Sequence, residues 1–307
     1  TGGSSYLIHV ISAAQAIAAG HCNVALITLA GRPRSEGAVG TGVRGNAQPD
    51  LQWESPYRPS VANLYALFAA RHMYEFGTTS EQLAWVKVAA SHHAQHNPYA
   101  MLRELVTVDD VLNSPVIASP LRRLDCCVVS DGGGAIILTR PELARELGKT
   151  DIRLRGGGSA IKHQAGGNVD LTFTAAAQSG AAAFAEAGVT QADIRYASIY
   201  DSFTITVLAQ LEDLGFCEKG QGGKFVADGG LIAGQGRLAV NTDGGGLCNN
   251  HPANRGGVTK IIEAVRQLRG EAHPMVQVPD CHLALAQAMG GTLSTRHVSA
   301  TLILERV

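Results

Sequence analysis

Asn241-Thr-Asp-Gly-Gly-Gly-Leu-Cys-Asn-Asn-His-Pro-Ala-Asn, residues 241–254, follows the short apolar run 237–240 and leads into a long amphipathic segment. Three consecutive glycines let a backbone pass close to a ligand without side-chain obstruction. The reading is a strand, a bare loop and a helix start that carries the imidazole of His251. A second stretch, Tyr200-Asp-Ser-Phe-Thr, follows another strand-like run at 193–200 and opens a helix over 203–214. Together they form a plausible place for chemistry on a carbonyl.

Outward from these stretches, strands and helices alternate, which implies parallel pairing with helices packed on the sheet. Residues 6–19 form a helix apolar enough to be buried all round, closed by Gly20. Residues 24–30 read as a strand buried on both faces. Strands follow at 131–140, 152–161 and 298–306, with short candidates at 275–280 and 283–287. Helices are expected at 172–187, closed by Gly188, at 203–214 as an amphipathic helix before Gly215, and at 254–269 before Gly270. An abrupt start on a core helix carries the expectation that a leading part is missing.

Residues 32–120 differ in character. Pro33, Pro56, Pro59, Pro98, Pro115 and Pro120 punctuate them, with helices near 61–76 and 80–97 between. Such loop-rich excursions commonly cover active sites. His92, His93 and His96 fall on the second of these helices. Without a matching carboxylate or an HExxH pattern they read as a solvated or packed face rather than a metal site.

Charge is nearly balanced, 25 basic against 26 acidic residues, so no electrostatic footprint for nucleic acid or an anionic membrane is present. No apolar run reaches the roughly 20 residues that span a bilayer. The six cysteines show no C-x-x-C spacing, which points to reduced thiols in a cytoplasmic protein. The glycine-rich runs match neither the P-loop nor the dinucleotide fingerprint, and there is no G-x-S-x-G elbow. The strand at 134–140 echoes the one at 299–306, each near the end of its half, as in a duplicated unit.

A duplicated order, a small-residue helix opening at a Gly-rich turn, Tyr-Asp-Ser-Phe-Thr after a strand, and Gly-Gly-Gly-Leu-Cys-Asn-Asn-His-Pro resemble the thiolase superfamily. The resemblance is to its lipid-transfer-protein-like and acetyl-CoA-acetyltransferase-like branch, and it covers essentially the whole chain. It implies an α/β, duplicated αβαβα layered fold with two five-stranded mixed sheets and a loop insertion in the first half. The halves would be 1–150, holding the insertion 32–120, and 151–307.

The resemblance also assigns roles. Counting back from Ile17 and Gly20 puts Gly3 where the family carries its nucleophilic cysteine, and Gln287-Ala-Met-Gly290-Gly291 where it carries a second, acid–base cysteine. Both thiols are absent, and Cys281 lies several residues upstream of the second position. The family histidine matches His251, and Tyr200 replaces an asparagine or histidine that helps to form an oxyanion hole. Gly3, Gly245, Gly246, Gly290 and Gly291 are the substrate-lining candidates. Asp201 is read chiefly as a cap for the next helix, and His297 as structural.

Polarisation of a thioester thus survives while acyl transfer onto cysteine does not. This suits retro-aldol cleavage of a 3-hydroxyacyl-CoA, with Tyr200 as base or proton relay and His251 holding the enolate oxygen. Coenzyme A enters as part of the substrate, with no tightly bound cofactor and no metal. The resemblance further implies a homodimer and a partner subunit built of an OB-fold and a zinc ribbon. Two other classes stay open: an acyl-CoA acyltransferase, which cysteine alkylation would inactivate, and a non-catalytic acyl-CoA or lipid carrier, in which Tyr200→Phe would change no turnover.

Overall fold

The computed structural model describes residues 2–37, 60–148, 152–162, 170–291 and 297–307. In chain order the helices are α1 (Ser5–Ala18), α2 (Val61–Phe76), α3 (Ser80–Ala94), α4 (Val108–Asn113), α5 (Pro141–Glu146), α6 (Ala176–Ala187), α7 (Thr204–Asp213), α8 (Gly222–Val226) and α9 (Gly256–Arg269). The strands are β1 (Val24–Gly31), β2 (Val116–Ala118), β3 (Leu121–Arg122), β4 (Gly132–Thr139), β5 (Ile152–Ile161), β6 (Tyr196–Ile199), β7 (Ala239–Val240), β8 (Leu283–Gly290) and β9 (Val298–Arg306). Pro56, Pro59 and the proposed boundary at 150 lie outside the described residues.

The second half holds a mixed five-stranded sheet in the order β5-β9-β8-β6-β7. β6 runs parallel to β7 and β8, whereas β9 runs antiparallel to both β8 and β5. Helix α6 packs on β5 and β9 from one side, and α1 and α9 pack from the other. Small residues permit the close approach: a Cβ on Gly156 would collide with the Ala183 carbonyl oxygen of α6, and one on Gly158 with that of Ser179. Helices α1 and α9 also touch β4, so they form a layer between the two sheets.

Two five-stranded sheets are not what the described residues show. The first half contributes a two-stranded antiparallel sheet, β1 with β4, and a separate two-stranded pair, β2 with β3. Nor is β1 buried on both faces. Val24 and Leu26, at 47% and 63% exposed, alternate with half-buried neighbours, because α1 and α9 cover one face only. The duplication is nonetheless visible: α1 leads to β1, which pairs antiparallel with β4, as α9 leads to β8, which pairs antiparallel with β9.

Other elements depart from the reading in instructive ways. Helix α1 buries Tyr6, Leu7, Val10 and Ile17 but leaves His9, Ser12 and Gln15 exposed, a polar stripe at three-residue spacing that marks an open side. Helix α7 is buried on every side from Thr204 to Glu212, because α2, α3, α6 and α8 surround it. Its polar residues turn inward: Thr204 donates to Asp125 at 2.7 Å, and Gln210 to the Tyr200 carbonyl at 2.8 Å. Residues 275–280 form no strand, and the regular part of the helix expected at 254–269 begins at Gly256, after a 3-10 turn.

Helices α2 and α3 are well delimited by local chemistry. Ser60 and Thr79 make capping boxes with Asn63 and Gln82, and Gly77 ends α2 in the left-handed conformation. From α3, His93 joins the two halves: its Nδ1 is 3.2 Å from the Asn241 carbonyl and its Nε2 accepts from Ala233 N at 2.9 Å. His96 stacks on His273 instead of joining a ligand set with His92, and among the described residues no group of three or more possible metal ligands occurs.

Candidate functional site

The loop after β7 is built by its own polar residues. Asn241, at φ +54°, pairs with Ile199 like a short strand: its Oδ1 accepts from Ile199 N and its Nδ2 donates to Ile199 O, both at 2.8 Å. Asp243 accepts from Gly245 N at 2.9 Å and from Asn249 Nδ2 at 2.8 Å, which closes a π-helical turn over Gly245–Asn249. Such turns recur at functional sites because they project side chains that a regular helix would not. Here the bare loop expected from the three glycines is this turn, and His251 leaves it with its backbone N–H donating to Ser130 Oγ at 3.0 Å.

Tyr200, at the end of β6, meets His251 edge to face, with ring centroids 5.3 Å apart. Its hydroxyl donates to the Ala253 carbonyl at 3.3 Å. A Cβ on Gly3 would lie 2.5 Å from Tyr200 Cε2 and 2.7 Å from Cζ, so the tyrosine ring fills the space of any side chain at that position. Gly2 packs on the β8 turn, where its Cβ would come within 2.7 Å of Gly290 Cα, and Tyr65 from α2 donates to Gly291 O at 3.4 Å. Gly246 abuts the imidazole: its Cβ would lie 3.0 Å from His251 Cδ2.

Gly3, Tyr200, Gly246, His251, Gly290 and Gly291, far apart in sequence, therefore meet. A Cβ on Gly245 would meet the Asp201 carboxylate and the Asn241 amide. Cys281 sits at the far end of β8 from Gly290, and burial pushes its thiol up to about 11. His297 is fully buried beside Lys162, neither ring nitrogen has a partner among the described residues, and burial pulls it down to about 3.

Burial dominates the electrostatics. It pushes the Tyr200 phenol well above its usual value, with Cys127, Tyr65 and Asp201 acting the same way. It pulls His251 down to about 4, opposed by Asp201 and reinforced by Lys260. At neutral pH the site therefore offers a protonated phenol and a neutral imidazole whose Nε2 is buried without a partner. An unpartnered buried nitrogen beside a phenol is suited to gripping a carbonyl oxygen.

Sequence reasoning missed the supporting groups. Asp201 does not cap the next helix, α7: it accepts from the first amides of the π-helical turn, Gly246 N at 2.8 Å and Leu247 N at 3.1 Å, and from Lys260 Nζ at 2.6 Å. Tyr65 comes from the insertion, and Cys127 acts electrostatically on both tyrosines while burial pushes its own thiol up. Long-range packing brings these together, and no local pattern could announce it.

Residues 128–306 match the thiolase C-terminal domain-like family. The chain is 38% identical over 255 residues to an acetyl-CoA acetyltransferase of Methanothermobacter thermautotrophicus, which takes in 81% of this chain and 65% of that protein. It is 36% identical over 283 residues to a steroid side-chain-cleaving aldolase of Thermomonospora curvata, covering 88% of this chain and 71% of the relative. Among solved structures, an Ltp2-ChsH2(DUF35) aldolase superposes with a TM-score of 0.86 at 33% identity, over 99% of this chain and 78% of that one.

Proposed function

The chain belongs to the thiolase superfamily, and from that premise we propose that it makes or breaks a carbon–carbon bond next to a CoA thioester, by retro-aldol cleavage of a 3-hydroxyacyl-CoA. The carrying observation is the ring of Tyr200 in the space a side chain at Gly3 would need. The position that would carry an acyl-accepting sulfur holds no side chain and has no room for one. The polarising side of the site remains.

In the proposed step the 3-hydroxyl proton leaves, the bond between Cα and Cβ breaks, and its electron pair passes into the thioester enolate. Cβ becomes a ketone or aldehyde, and a proton returns to Cα to give the shortened acyl-CoA. No net proton is consumed. Because the Tyr200 phenol is protonated at rest, its role is a relay, accepting the hydroxyl proton as its own passes toward Cα. Neutral His251, in the tautomer with the proton on Nε2, donates to the enolate oxygen. No metal or bound cofactor enters the step.

A second reading, acyl transfer, is favoured by the acetyltransferase relative and by Cys127 in the neighbourhood of Tyr200. Its thiol, pushed up by burial, is a poor nucleophile as it stands. We further propose a homodimer and an OB-fold and zinc-ribbon partner; that the similar aldolase structure pairs Ltp2 with ChsH2(DUF35) supports a partner subunit.

The test is to mix the full-length protein, alone and with a candidate partner subunit, with 3-hydroxyacyl-CoA esters and follow products by chromatography and mass spectrometry. Retro-aldol cleavage yields a shortened acyl-CoA and a free carbonyl compound without consuming added CoA. Given a 3-oxoacyl-CoA instead, cleavage to two acyl-CoA products that consumes one free CoA identifies a thiolase. Binding without turnover, unchanged in Tyr200→Phe, identifies a carrier.

A further inference from the structure

The turn that presents His251 is held by buried charges to which the proposed chemistry gives no part. Lys260 of α9 and Asp201 form an ion pair at 2.6 Å, and both side chains are almost wholly buried. The same Asp201 oxygen accepts from Gly246 N, and its second oxygen from Leu247 N. From α3, buried Lys87 grips the other side of the turn, donating to Leu247 O at 2.6 Å and Cys248 Sγ at 3.1 Å. A buried ion pair is weak support for stability, since apolar residues of similar size often hold a fold as well. A carboxylate aligned on two successive amides of one turn does something apolar packing cannot: it fixes that turn's orientation.

We infer that the Lys260–Asp201 pair is a positioning device for His251, fixing the turn from which the imidazole projects and setting the electrostatic field at its ring. The inference rests on the reading of His251 as the thioester-facing group. Four glycine-based approaches make the geometry tight: Gly245 and Gly246 abut Asp201, while Gly246 and Gly256 abut the His251 ring. A shift of the carboxylate is thereby passed to the imidazole through one residue.

The charged and titratable groups around this ring come from every packed element. Asp201, which follows β6, and Lys260, on α9, act on the ring directly, and Tyr200 meets it edge to face; Cys127, before β4, acts on Tyr200, and Lys87, on α3, and Asp243 act on Cys248 of the turn. Of these, Asp201 favours a charged His251 and Lys260 opposes it. Removing the Lys260 charge leaves Asp201 unbalanced, so the imidazole protonates more readily.

The experiment compares wild type, Lys260→Gln, which keeps a hydrogen-bond donor, and Lys260→Arg, which keeps the charge. The His251 ring is followed without substrate by NMR of 13C-labelled histidine from about pH 3 to 8, with His251→Gln to identify the signal. Lys260→Gln is expected to move the His251 midpoint upward by about one pH unit or more, and Lys260→Arg to leave it near wild type. A folded Lys260→Gln that titrates like wild type overturns the inference, as does an equal shift in Lys260→Arg. If Lys260→Gln does not fold, Lys260→Met is judged by the same readout. In turnover, the acid limb of kcat/KM should move with the NMR midpoint. A moved midpoint with an unmoved limb keeps the positioning role and removes His251 from the proposed reaction.

Discussion

The ring of Tyr200 and the bare Cα of Gly3 are complementary: a Cβ on residue 3 would approach Tyr200 Cε2 to 2.5 Å. A tyrosine at 200 and a cysteine at 3 exclude one another in this backbone. Gly3→Cys is therefore expected to destabilise the protein by about 1–3 kcal/mol, the usual cost of overpacking. Part of that cost should vanish in the Tyr200→Ala background, the remainder reflecting the Met289 carbonyl on the other side. Denaturant unfolding of the four proteins gives the coupling directly, and additive costs would show that the two positions are independent.

Tyr200→Phe removes one hydroxyl, which among the described residues bonds the Ala253 carbonyl at 3.3 Å. Its effect on stability should be within about 1 kcal/mol. Its effect on turnover should be a fall in kcat of roughly 10²–10⁴, the range for a positioned proton-transfer group. Steady-state kinetics beside a thermal melt separate the two.

On the proposed mechanism, His251→Ala removes a neutral donor at the place where negative charge develops. By analogy with loss of one oxyanion donor, kcat should fall by roughly 10²–10³. Affinity for an unreactive acyl-CoA analogue, measured by calorimetry, should change far less, since the interaction strengthens only as the enolate forms.

Three buried histidines make the fold sensitive to acid. Burial pulls His93 and His251 down to about 4 and His297 to about 3, from an ordinary 6.5. Each binds fewer protons folded than unfolded between those values, so its contribution is present above 6.5 and is lost as pH falls through the window. Glu263, raised from 4.5 to about 7 by burial, works oppositely and loses its contribution as pH rises through about 7. Asp125 and Asp213, also raised by burial, work in the direction of Glu263, so the histidine share is the part of the pH dependence that histidine replacement removes.

His297→Leu isolates one share of that dependence. It replaces a ring with two unpartnered buried nitrogens, so at pH 7.5 it should stabilise by about 1–3 kcal/mol. At pH 5 the gain should be larger, because wild type alone must keep this imidazole uncharged. Urea midpoints at the two pH values check this, and a smaller gain at pH 5 would contradict it.

Much of the fold was legible where local chemistry sets it. The helix at 61–76 and the last strand at 298–306 were read to the residue, the first because Ser60 and Gly77 close its ends. The errors came where neighbours decide. The alternation of exposed and half-buried residues along β1 depends on a layer covering one face only, and the polar residues of α7 looked solvated but bond internally. At the site, Gly3, Tyr200 and His251 could be placed from motif resemblance. Asp201, Lys260, Lys87 and Tyr65 could not, because their partners lie on other elements.

The most direct measurement is the intact mass of the protein quenched during turnover of a 3-hydroxyacyl-CoA. A pocket that polarises the thioester without a sulfur at position 3 predicts one unmodified mass while shortened acyl-CoA accumulates. An added acyl group on the protein, mapped to a cysteine and formed as fast as product, would contradict it.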